Sequence, residues 1–167
     1  MDDIAKKVGV SKAAVYHYYE SKESLVAAIA VSLVESALGS ELSEQRNQSL
    51  LEAAEGSFGR LLKLMPGLLP NLVCDMISEA HRDGSARRTL RSIESAIVEA
   101  TSEFWETRKK KGEIAPDLDT TRIARGLVAL QLGLLAQIST GFPRQQAIEA
   151  WIEIVHRLAT SLEIERE

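Results

Sequence analysis

The residues best suited to chemistry stand near the front of the chain, in the run Ser11-Lys12-Ala13-Ala14-Val15-Tyr16-His17. A lysine ammonium donates to guanine or to a phosphate oxygen, an alanine methyl touches the thymine methyl, and a tyrosine hydroxyl donates to phosphate. Ser11 is of the type that caps a helix, which leaves the first residues and free backbone N–H groups of that helix facing outward. Elsewhere no acid–base pair, no nucleophile beside a base and no Cys/His cluster with ligand spacing is legible. The sequence therefore argues against an enzyme and calls for neither cofactor nor metal. His81-Arg82-Asp83 has the letters of a kinase catalytic loop, but without a Gly-rich loop or a second metal-binding motif it reads as a helix end.

Two short crossed helices would position that set. The spacing predicts helices over Asp2–Val8 and Lys12–Tyr18, separated by Gly9-Val10-Ser11. Ile4, Val8, Val10, Val15 and Tyr18 are expected to converge between them, with Ala5 small where the two approach. Tyr19 is expected to pack beside Tyr18, while Lys6 and Lys7 form a solvated face. Gly9 falls at the turn, where a left-handed backbone costs other residues about 1 kcal/mol or more. This is the geometry by which a recognition helix enters the major groove.

Charge agrees with such a head. The chain carries a net charge of −4, yet four lysines against three carboxylates leave residues 1–22 at +1 and the remainder at −5. With 45% hydrophobic and 26% charged residues, the balance is that of an ordinary globular protein. No apolar run is long enough to span a bilayer and no signal-peptide pattern opens the chain. The single cysteine, Cys74, has no internal disulfide partner. A cytoplasmic protein is expected.

The rest reads as helix, because apolar residues recur at three- and four-residue spacing and never alternate for long. Helices are expected at about 22–38 (capped by Ser21), Leu50–Met65, Asn71–Arg82 with Pro70 in the first turn, Ala86–Lys111, Thr120–Thr140 (capped by Asp119 or Thr120), and Arg144 onward. Arg108-Lys109-Lys110-Lys111 closes one of these helices and complements its dipole. The fold class is all-α, with a helix-turn-helix head over residues 1–40 and a helical bundle over 41–167.

Two features of the body bear on function. The middle helices can surround an apolar pocket lined by Phe58, Leu62, Met65, Cys74, Ile77, Ile97, Thr101, Trp105 and Gln131. Gln131 is a polar group on an otherwise apolar helix, and a buried amide needs partners that a ligand could supply. The last two long helices are apolar over wide faces, which suggests a four-helix homodimer interface through Val128, Leu132, Leu135, Trp151, Val155 and Leu158.

The front segment resembles the TetR/AcrR family of transcriptional regulators. Its signature pairs I-A-x-x-x-G-V-S with Y-x-[HYF]-[FY]-x-[SN]-K-[ED]-x-L. Here Ile4 to Ser11 matches the first half, and Tyr16-His17-Tyr18-Tyr19-Glu20-Ser21-Lys22-Glu23-Ser24-Leu25 the second. The resemblance implies that Ser11, Lys12 and Ala13 face base edges or nearby phosphates, that Tyr16 and His17 contact the backbone, and that Lys22 meets a phosphate. It implies a repressor released from a palindromic double-stranded DNA operator by a small-molecule effector, and dimerisation through the last two helices. The family also carries a helix ahead of this motif, packed beneath the reading helices. The chain as written is therefore expected to have a mobile head and weak operator affinity. The alternative is a dimeric small-molecule-binding module that no longer binds DNA.

Overall fold

The computed structural model describes residues 2–19, 25, 28, 29, 32, 50–64 and 66–162. Among them are seven helices and no strand element: α1 (Asp2–Val8), α2 (Lys12–Tyr18), α3 (Leu50–Leu64), α4 (Leu69–Arg82), α5 (Gly84–Lys110), α6 (Thr120–Ser139) and α7 (Arg144–Leu162). The all-α class is as expected. Ser21, Lys22, Met65 and the proposed boundary near residue 40 lie outside the described residues.

Local chemistry sets the helix ends. The Asp83 carboxylate accepts from Ala86 N (2.6 Å) and that of Asp119 from Arg122 N (3.0 Å), each satisfying an orphan donor of the first turn. Pro70 occupies the first turn of α4, where its missing N–H costs nothing. The helix begins at Leu69, two residues ahead of the expected start. The chain leaves α5 through Gly112 at φ +70, a left-handed position suited to glycine. His81-Arg82-Asp83 is a helix junction, since the Asp83 N–H also closes α4 onto Glu79 O at 2.9 Å.

In the body, α5 packs on α6, α4 on both, α3 on α7, and α7 on α6. Two tryptophans anchor this core. Trp105 and Trp151 are about 1% and 2% exposed and share a cluster with Phe58, Leu62, Leu127, Leu134 and Val155. The Trp151 indole donates to Ala54 O at 3.0 Å and its ring lies 5.7 Å from that of Phe58. Both contacts tie α7 to α3, so the large apolar ring is buried without stranding its polar N–H. A smaller cluster of Val98, Ala124 and Val128 joins α5 to α6.

The basic end of α5 does more than complement a dipole. Arg108 is buried, bonds to Glu113 at 2.9 Å and stacks over the Phe104 ring. Lys109 donates to Leu118 O at 3.0 Å. Together they hold the turn that leads into α6, and only Lys110 and Lys111 stay exposed.

Candidate nucleic-acid interface

The head is built around a small contact. Ala5 (3% exposed) and Val15 (8%) are buried where α1 and α2 cross, with Leu25 also buried. Gly9, at φ +73, makes the turn, and Val10 N returns to Ala5 O at 3.0 Å. Ser11 adopts an extended backbone and its hydroxyl accepts from Ala14 N at 3.1 Å, so it caps α2 as its type suggests. Tyr19 N bonds to Val15 O and closes the helix at its far end.

This arrangement leaves Ser11, Lys12, Ala13, Tyr16 and His17 exposed on one short helix. Lys12 Nζ lies 2.8 Å from Asp2 Oδ1 and 3.0 Å from Asp2 Oδ2, and 6.0 Å from the centre of the Tyr16 ring. Their hydrogen bond pulls the Asp2 carboxyl below its ordinary value and pushes the Lys12 ammonium above its own.

Three expected core positions of the head are overturned. Val8 (64% exposed), Val10 (47%) and Tyr18 (78%) point away from the crossing. A crossing between two helices of seven residues each has room for little beyond one small and one β-branched side chain. The Tyr18 ring instead stands edge-on to His17, with centroids 5.2 Å apart, and adds a hydroxyl to the exposed set where the spacing predicts a core side chain. The Ile4 side chain is outside the described residues.

The pocket candidates divide. Phe58, Leu62 and Trp105 belong to the main core cluster, whereas Ile97 packs on the smaller one. Cys74, Ile77, Thr101 and Gln131 are half-buried on α4, α5 and α6. Thr101 donates to Ile97 O at 2.8 Å, and Cys74 Sγ lies 3.1 Å from Ser139 Oγ. Ser139 Oγ in turn donates to Ala136 O, so the Cys74 S–H is the donor of that pair.

Four of the six interface candidates need correction. Val128, Leu135, Trp151 and Val155 are buried within the single chain, and Leu132 and Leu158 are partly buried against the same clusters. What α6 and α7 leave outside is different: Gly126, Ala129 and Gly133 on α6, and Ile152 (37% exposed) and Ile154 (47%) on α7. The wide apolar face of α7 is thus taken up by α3, which the sequence did not pair with it.

Residues 1–29 match the family model for bacterial regulatory proteins of the tetR family. The chain is 27% identical over 146 residues to the HTH-type transcriptional regulator UidR of Escherichia coli, covering 83% of this chain and 70% of that protein. Among solved structures, a TetR-family transcriptional regulator of Syntrophomonas wolfei superposes with a TM-score of 0.73 at 17% identity, covering 99% of this chain and 86% of the other. GusR of Salmonella enterica does so at 0.66 and 24% identity, over 96% and 82%.

Proposed function

We propose that this chain, a TetR-family DNA-binding regulator, is a repressor that sits on a palindromic operator and leaves it when a small apolar effector binds the body. The observation carrying the reading is the recognition helix itself. Its cap is Ser11, its buried side is Val15, and its outward side offers Lys12, Ala13, Tyr16 and His17 to a groove. Tyr18 joins these as a further hydroxyl within reach of the backbone. Ser11 and Lys22 complete the set that the resemblance assigns to DNA. Its workplace is the cytoplasm, where the DNA lies.

A homodimer would place two such helices in successive major grooves, their centres roughly 34–36 Å apart or a multiple of that. The side of α6 and α7 that the single chain leaves open is where we place the second copy. We place the effector site between α4, α5 and α6. The support there is the Gln131 amide, half-buried and without a hydrogen-bond partner among the described residues. An effector must bind the DNA-released form more tightly, because equal affinity for both forms shifts nothing.

The test is enrichment of duplexes from a random library, followed by a gel shift with the enriched sequence. The wild-type chain should enrich a palindrome, and Lys12→Ala with Tyr16→Ala should lose most of the affinity. An unchanged footprint and affinity in that double variant would remove these residues from the interface.

A further inference from the structure

We propose that Asp2 and Lys12 act as one unit that reads the major-groove edge of a G·C base pair, making Lys12 a base contact rather than a phosphate contact. The proposal rests on the reading of this chain as a DNA-binding regulator.

Geometry comes first. The pair bridges α1 to the first residue of α2, and its side chains remain 59% and 68% exposed while touching both ways, at 2.8 and 3.0 Å. With the Tyr16 ring beneath the same ammonium, the pair directs the lysine to the front of the recognition helix.

Charge then selects the partner. A lysine gains affinity from a phosphate by releasing a condensed counterion. An ammonium paired with a carboxylate brings no net charge to the backbone and so displaces few of the counterions condensed there. Moving it to a phosphate would either carry the Asp2 carboxylate against the anionic backbone or leave it unpaired there. A base edge carries no net charge and offers both kinds of hydrogen-bonding group. Guanine presents O6 and N7 as adjacent acceptors for the ammonium N–H that Asp2 does not use, and cytosine presents its N4 amino group to the free lone pairs of the carboxylate. Guanine O6 and cytosine N4 are hydrogen-bonded to each other at about 2.9 Å, close to the separation of the two charged groups of the pair. An A·T pair also sets a donor, adenine N6, beside an acceptor, thymine O4, but only guanine offers the ammonium a second adjacent acceptor, so G·C is the better match.

The experiment is enrichment from a random duplex library by the full chain and by its Asp2→Asn, Lys12→Ala and Lys12→Arg variants. Salt titration of binding follows, to the enriched duplex and to one of scrambled sequence. Wild type should fix a G·C pair at one position of each half-site. Lys12→Ala should lose that preference and weaken the enriched site about 5- to 100-fold, with the slope of log affinity against log salt unchanged. Asp2→Asn frees the ammonium, so it should lose the same preference, tighten scrambled duplex and steepen the slope by about 0.9. Lys12→Arg keeps the pair and should keep the preference. The proposal is overturned if Lys12→Ala makes the slope shallower by about one unit, since that places Lys12 on phosphate. It is also overturned if Asp2→Asn enriches the same site with the same slope, or if the position read is A·T. A wild-type chain that enriches no duplex would instead overturn the DNA-reading function, and the proposal with it.

Discussion

At the scale of single residues, the head depends on one glycine and one ion pair. Nothing among the described residues lies within 4 Å of the position a Cβ would take at Gly9, so a substitution there is opposed by its φ of +73 alone. Gly9→Ala should cost about 1–2 kcal/mol, read as faster amide exchange at Val15 with the melting of the body unchanged. The Asp2–Lys12 pair responds to pH in a defined direction. With its value lowered, Asp2 contributes above its ordinary value, and the contribution is lost as pH falls through the lowered one. Lys12, raised, contributes below its ordinary value, and this is lost as pH rises through the raised one. The pair therefore stays intact through the neutral range, and a change in DNA affinity near neutrality has another origin.

At the scale of elements, the body is held by what α7 gives to α3. Removing the Trp151 ring abolishes the contact with Phe58 and the hydrogen bond to Ala54 O, so Trp151→Ala should destabilise the fold by about 3–5 kcal/mol. Thermal melting followed by circular dichroism would measure this. Trp151→Glu should yield unfolded or aggregated protein, because it buries a charge with no partner. Ile152→Glu, one residue along and 37% exposed on the side where we place the second copy, should keep the helical circular-dichroism signal of a folded chain and act on pairing instead. Folded monomers from Trp151→Glu would show that this side chain meets a second copy and not the core.

At the scale of the whole molecule, the question is which face a second copy would take. Gly133 lies on the open side of α6, with nothing among the described residues within 4 Å of where its Cβ would be. Gly133→Arg should therefore fold, and its helix propensity should rise. If copies pair on this side, sedimentation should show monomers for the variant and dimers for the wild type, with operator affinity reduced. A dimer unaffected by this arginine would move the interface to another face. The half-buried Gln131 offers a separate handle, since Gln131→Leu should alter the effector response and leave operator affinity similar.

Much of this protein could be read from its residues in order. Ser11, Asp119, Pro70, Gly9 and Gly112 act within a few residues of themselves, through one cap bond, one ring or one positive φ, so helix starts and ends were legible. The helix-turn-helix signature was legible for the same reason. Periodicity also showed that α6 and α7 bury wide faces, but an apolar stripe says only that something covers it. Trp151 meets Ala54 across 97 residues of chain, and only the tertiary structure decided that α3, not a second copy, takes that face. It likewise decided that Val8, Val10 and Tyr18 stay outside, because a crossing as short as that of α1 and α2 closes over Ala5 and Val15 and has no further interior to offer. The Asp2–Lys12 pair belongs to the same class of fact. Two exposed charges ten residues apart become partners only through the angle at which their helices cross.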